Sequence, residues 1–160
     1  MFKTTLTWAL LLWNSIMSIS LAEPLHINGL AHIVKSTFHL ACPEDSNRDL
    51  QSVYISKHLS AYNFEQLLSS KSHQVWVALE EKEPIGLAVM ETMTENLAML
   101  SKLYVLPSFQ GEGVALELYK TVLNYARACG FEELKLSVYS GNLKAKSFYE
   151  KTRVYIAKQV

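Results

Sequence analysis

One stretch constrains the fold more than any other. Strand formers run from Met99 to Leu106 and stop at Pro107, and the short loop Gln110-Gly111-Glu112-Gly113-Val114-Ala115 follows. From Val114 onward Leu118, Val122, Tyr125, Ala126 and Cys129 recur at helical spacing over about four turns, with Cys129 read as a buried packing residue. Gly130 then supplies a left-handed stop, and Phe131 an apolar residue to pack back on the helix. Next, Leu134-Lys135-Leu136-Ser137-Val138 alternates as a strand, Asn142 is placed to cap a short helix from Leu143 to Lys151, and Val154 to Val160 reads as one last strand. A strand passing through glycines into an amphipathic helix, then a strand and another helix, makes the organisation mixed α/β.

The first half fits the same class. After Pro24, Leu30, Ile33, Val34 and Phe38 define a helix ending near Cys42-Pro43. Asp45 to Ser72 is polar and helical in part, with Val53, Ile55, Leu59, Phe64, Leu67 and Leu68 as its buried positions. Gln74 to Leu79 is rich in strand formers, Glu81-Lys82-Glu83-Pro84 turns the chain, and Ile85 to Met90 completes a hairpin. Neither an internal repeat nor a linker interrupts this order.

Residues 1–22 admit two readings. No charge falls between Lys3 and Glu23, and Ser20-Leu21-Ala22 ends the run on small residues, which on composition alone favours a secretory signal. The apolar heart from Trp8 to Trp13 is too short for a membrane span, which needs about 20 residues. The competing reading begins at Met17: Met17-Ser18-Ile19-Ser20-Leu21-Ala22 alternates like a half-buried strand, and residues 1–16 become an apolar extension.

Composition narrows function by exclusion. At 160 residues the chain is long enough for one domain with a proper core and too short for two. Fifteen Lys and Arg balance fifteen Asp and Glu, which leaves no bulk electrostatic case for nucleic acid or an anionic membrane. Cys42 and Cys129 have no CxxC spacing and are read as reduced thiols. His26, His32, His39, His58 and His73 show no metal-ligand spacing, and no G-x-S-x-G elbow occurs, so no metal site is expected.

The chemistry gathers at the glycine loop. Glycines between a strand and a helix let the backbone approach a ligand closely, and the free N–H groups of the first helical turn, at the positive end of the helix dipole, suit a pyrophosphate. By itself such a loop is equally a plain strand-to-helix turn. The spacing is neither that of the NTPase phosphate loop nor the dinucleotide fingerprint.

The run from Leu103 to Ala115 resembles the acetyl-CoA motif of the GNAT superfamily of N-acetyltransferases: a strand, a proline, then Q/R-x-x-G-x-G/A, with Gln110, Gly113 and Ala115 at the defined positions. Asn142, Ala145, Phe148 and Tyr149 match the family's downstream N-x-x-A-x-x-F-Y motif. The likeness extends from Met17 to about Val154. It implies a GNAT domain over 17–160, a central mostly antiparallel sheet with helices on both faces, and acetyl-CoA as co-substrate. It further implies that Leu103, Tyr104 and Val105 meet the pantetheine, that Gln110, Gly111, Glu112, Gly113, Val114 and Ala115 hold the pyrophosphate, that Asn142 meets the cofactor from its other side, and that Tyr149 is the general acid. The implied reaction is direct transfer to a primary amine of a small molecule or peptide in a ternary complex. A homodimer is compatible with the likeness, and acetyl-CoA places such a protein in the cytoplasm.

Departures from the pattern are specific. Glu112 puts a carboxylate where the family has a basic or neutral residue, with Lys144 and Lys146 as compensating charges. Thr152-Arg153-Val154 replaces the usual Gly-Phe after Tyr149, and the sequence stops about one strand short of the family pattern, so the C-terminal strand is expected to be incomplete or missing. Met99 stands where many members carry a carboxylate base, which leaves Glu91 and Glu95 as weak candidates. Two other classes therefore stay open: a non-catalytic acetyl-CoA-binding or interaction domain, and a secreted binding protein if residues 1–22 are a signal.

Overall fold

The computed structural model describes residues 17–136 and 142–151, and the backbone of residues 137–138 and 158–159. Strands β1 (Met17–Leu21), β2 (His73–Glu80), β3 (Glu83–Thr92) and β4 (Leu97–Val105) follow one another in an antiparallel sheet. β5 (Glu133–Val138) joins β4 in parallel, and β6 (Lys158–Gln159) lies parallel to β5. The order across the sheet is β1 to β6 in sequence. Among the described residues the α-helices are α1 (Ile27–Thr37), α2 (Arg48–His58), α3 (Ala61–Ser69), α4 (Val114–Ala128) and α5 (Leu143–Lys151).

Period-two alternation sends β2 residues to opposite faces, and each face has its own core. Val75 and Val77, with Leu87 and Val89 of β3, pack against Leu30, Ile33 and Val34 of α1 and Phe64 of α3. Trp76 and Ala78, with Ala88, Met90, Ala98 and Leu100, pack against Leu118, Val122 and Ala126 of α4 and reach Tyr149 of α5. Helices thus cover both faces of a mostly antiparallel sheet. Truncating a fully buried side chain such as Phe64 to alanine costs about 3 to 5 kcal/mol.

Local devices place these elements. Glu81 and Lys82, both at positive φ (49° and 70°), make the two-residue turn of the β2–β3 hairpin. The first helix ends at Thr37 and tightens into a 3-10 turn, Phe38–Ala41, that brings the chain to Cys42. α4 stops as read: Gly130 sits at φ 84°, and the Phe131 N–H donates to the Ala126 carbonyl at 3.0 Å. Asn142 caps α5, its Oδ1 accepting from the Ala145 N–H at 3.1 Å.

Two expectations are corrected. Val53 is 62% exposed, because α2 turns that face outward and buries Leu59 at its end instead. Cys129 is exposed, since α4 ends at Ala128 and Cys129 falls beyond the last turn that the sheet covers. Both cysteines are free thiols. Of the last strand expected over Val154 to Val160, Lys158–Gln159 is present, while 152–157 and 160 lie outside the described residues. So do residues 1–16, on which the extension and signal readings turn; the strand expected from Met17 is β1. Among the described residues no helix is long and apolar enough to cross a membrane.

Candidate active site

The site begins where two strands part. β4 and β5 pair from Leu97↔Glu133 to Leu100↔Leu136 and no further, while β4 runs on to Val105. Ser101 is an extra residue in β4, since Val89 pairs with Lys102 and Met90 with Leu100; its hydroxyl donates to the Val89 carbonyl at 3.3 Å. Such a bulge re-aims the strand that follows it. Beyond it, among the described residues, β4 presents an edge without a strand partner on the β5 side.

A cavity of about 920 Å³ occupies the gap. It is lined by Leu103, Tyr104 and Val105 of β4, by Gln110, Gly111, Gly113 and Ala115 at the start of α4, and by Asn142, Ala145, Phe148 and Tyr149 of the α5 region. Thr37, Leu40 and Ala41 line it too. Because α1 and α4 cover opposite faces of the sheet, a cavity touching both passes through the sheet between β4 and β5.

The glycine loop leaves the backbone open at the start of α4. Gly111 and Gly113 sit at φ 84° and 85°, a conformation L side chains rarely adopt, and a Cβ at either would meet nothing within 4 Å. Gly113 is the N-cap of α4, whose first-turn N–H groups have no helical partner. Gln110 ties the loop to its neighbours: its Nε2 donates to the Val105 carbonyl at 3.1 Å, and its Oε1 accepts from Lys144 Nζ at 2.5 Å.

Tyr149 is 7% exposed, packed edge-on against Tyr119 and Phe148 with ring centroids 6.3 and 5.1 Å away. Burial, then Tyr119 and Tyr104, pushes its phenol well above the ordinary range. Tyr104 is likewise pushed up to about 12, by burial first and then by Tyr54 and Cys42. Both phenols are therefore protonated, neutral groups at physiological pH.

The chain from 35 to 153 matches the acetyltransferase (GNAT) family. This protein is a GNAT acetyltransferase by family. An uncharacterized N-acetyltransferase of Mycobacterium bovis is 31% identical over 123 residues, covering 77% of this chain and 79% of that one. Among solved structures, the PaiA N-acetyltransferase of Thermoplasma acidophilum, in complex with coenzyme A, superposes with a TM-score of 0.80 at 17% identity, over 85% of this chain and 87% of that one. An aminoglycoside acetyltransferase from an uncultured soil metagenomic sample, in complex with sisomicin, superposes with a TM-score of 0.69 at 18% identity, over 92% and 93%. The overall fold is thus shared with GNAT acetyltransferases, and the chain is an acyltransferase.

Within that GNAT frame, most but not all of the expected site residues meet. Leu103, Tyr104, Val105, Gln110, Gly111, Gly113, Ala115, Asn142 and Tyr149 converge on the cavity. Glu112 is exposed and off its wall, and the Val114 side chain is buried in the α4-face core. Lys144 lines the cavity and Lys146 does not. Glu91 and Glu95 also lie off it; Glu91 sits 3.8 Å from His73 Nε2 and near Lys102, whose ammonium burial pushes below the lysine range. Missed by sequence reasoning were Thr37, Leu40 and Ala41, and the α4 face Leu116, Tyr119, Lys120 and Leu123. The α4 set had a signal: its i, i+3, i+4, i+7 spacing marks one helix face.

Proposed function

We propose that this protein moves an acetyl group from acetyl-CoA to a primary amine by direct attack. One observation carries the reading: the end of β4 that no described strand pairs on the β5 side, the glycine loop at α4 and the buried Tyr149 ring all line a single cavity. The residues fit the co-substrate on their own chemistry. Gly111 and Gly113 leave space where a Cβ would stand, and the α4 N-terminus favours a pyrophosphate. Leu103 to Val105 offer backbone groups to an extended pantetheine in the manner of an added strand.

Bound acetyl-CoA supplies an activated acetyl thioester. The amine nitrogen bonds to the acetyl carbon as the carbon–sulfur bond breaks, Tyr149 gives its proton to the departing sulfur, and the amine's surplus proton passes to water, which in turn restores Tyr149. Backbone donors near Val105 hold the charge that develops on the acetyl oxygen. Burial keeps Tyr149 protonated until that moment.

The same reading assigns residues 17–160 to the catalytic domain and the protein to the cytoplasm, where acetyl-CoA is available. Its support is β1: a cut after Ala22 removes a strand paired along its whole length with β2. Calorimetry with acetyl-CoA and release of free thiol in the presence of amines test the proposal. Saturable binding and amine-dependent thiol release are expected; absence of acetyl-CoA binding overturns it, and binding without turnover of any amine favours a non-catalytic domain.

A further inference from the structure

The cavity has two ends of different character. On the α4 and α5 side it carries Lys151, Lys144 bonded to Gln110, and Lys120 paired with Glu117 at 3.3 Å. On the α1 side its described lining is Thr37, Leu40, Ala41 and Tyr104. The Thr37 hydroxyl is already committed, donating to the Ile33 carbonyl at 2.7 Å. That leaves a single phenol among apolar groups, and among the described residues no carboxylate lines either end.

An aromatic row continues outward from this end. Phe38, next to Thr37 in the chain, stacks on Tyr54 with centroids 5.3 Å apart and planes 17° apart, and Tyr54 meets His58 at 4.7 Å. Tyr54 is close enough to Tyr104 to raise its ionisation, so the row and the cavity lining adjoin. Tyr54 and Leu40 are each 49% exposed, which leaves a half-open apolar mouth.

We infer that the acceptor is a monoamine with a flat, apolar or aromatic body, rather than a polyamine or other polycation. The inference rests on the acetyl-transfer reading, since it assigns the α1 end of the same cavity to the acceptor. Its ground is differential desolvation. A second or third ammonium entering this end leaves water without a counter-ion, a cost that an apolar body does not carry. The flat body instead gains contact with Leu40 and the Phe38–Tyr54 row. The single amine loses its proton more readily in a site that offers no anion, so its lone pair is free for attack on the acetyl carbon without a carboxylate base. Specificity here is a difference between two acceptors, and the uncharged lining acts mainly against the wrong one.

The test compares 2-phenylethylamine, spermidine, an aminoglycoside and a peptide with a free N-terminus by thiol release on the full chain, with calorimetry of acetyl-CoA alongside. 2-Phenylethylamine is expected to lead each of the others in kcat/KM by at least about tenfold, within reach of ordinary pocket discrimination. In Leu40→Glu, a substitution at a half-exposed position that adds a carboxylate to this end, the ratio of 2-phenylethylamine to spermidine is expected to fall by about tenfold or more. Spermidine, the aminoglycoside or the peptide matching 2-phenylethylamine overturns the acceptor class, as does acetyl-CoA binding with no turnover of 2-phenylethylamine; acetyl transfer itself survives when another amine is used. No acetyl-CoA binding overturns both.

Discussion

Lys144 Nζ stands 2.5 Å from Oε1 of Gln110, although 34 positions separate the two in the chain. The contact joins the first turn of α5 to the loop before α4, and through Gln110 Nε2 it extends to the Val105 carbonyl of β4. Two motifs that are separate in sequence thereby become one wall of the cavity. Removing the ammonium in Lys144→Met releases Gln110 and is expected to weaken acetyl-CoA binding about tenfold, the scale of one charge-assisted hydrogen bond. Equal dissociation constants by calorimetry would detach this contact from cofactor binding.

The glycine loop makes a second prediction. Gly113 sits at φ 85° with open space where a side chain would project. Gly113→Val combines a strained backbone with a branched group in that space, so acetyl-CoA affinity is expected to fall at least about tenfold. Calorimetry on protein checked by circular dichroism reads the effect, and unchanged affinity removes the loop from the site.

Tyr149→Phe keeps the ring contacts to Tyr119 and Phe148 and deletes the hydroxyl. As general acid, that hydroxyl is worth roughly 10²-fold or more in kcat with little change in KM for acetyl-CoA. Burial raises its ionisation above the ordinary value of about 10, so the wild-type rate should climb with pH as the amine loses its proton and show no Tyr149 limb below about pH 10. Stability runs the other way. Above about pH 10 the tyrosine ionises in the unfolded chain before the folded one, so the folded state loses stability as pH rises. Level kcat in folded Tyr149→Phe sinks the assignment.

Asn142 combines an expected cofactor contact with an observed cap. Its Oδ1 accepts from the Ala145 N–H, so Asn142→Ala should cost about 1 kcal/mol and lower Tm by about 2 to 4 °C. Asn142→Asp retains the cap and should recover Tm while weakening acetyl-CoA binding through its negative charge. A melting curve and a titration on both variants separate the roles; Asp binding as tightly as wild type leaves only the cap.

Chains starting at Met17 and at Glu23 differ by β1 and Ala22. The first should melt like the full chain, and the second several degrees lower, because β2 loses its antiparallel partner from Trp76 to Glu80. Equal melting of the two would favour the secretion reading.

How much of this was legible follows from the range of each signal. β4, the loop, α4 and Asn142 could be read because strand alternation, glycine spacing and capping are local chemistry. Val53 does not follow its sequence pattern because α2 is polar enough that its weak apolar spacing does not say which face is buried. Cys129 falls one residue past the helix, since the apolar stripe continues beyond Ala128 while the helix does not. The α1 end of the cavity carried no signal at all. Thr37 and Leu40 look like the tail of a core helix, and only the parting of β4 from β5 within the sheet turns them into a lining.

β1 also bears on how such a chain misassembles. Its partner strand carries the run Val75-Trp76-Val77-Ala78-Leu79, apolar on both faces and without proline or charge. Covered by β1, that run is interior to the sheet. Uncovered, it is a bare edge with a row of unpaired backbone groups, a template on which a second chain can add its own strand. Five residues at one end of the fold therefore shield this run, and their removal would leave its backbone groups open to pairing with another chain.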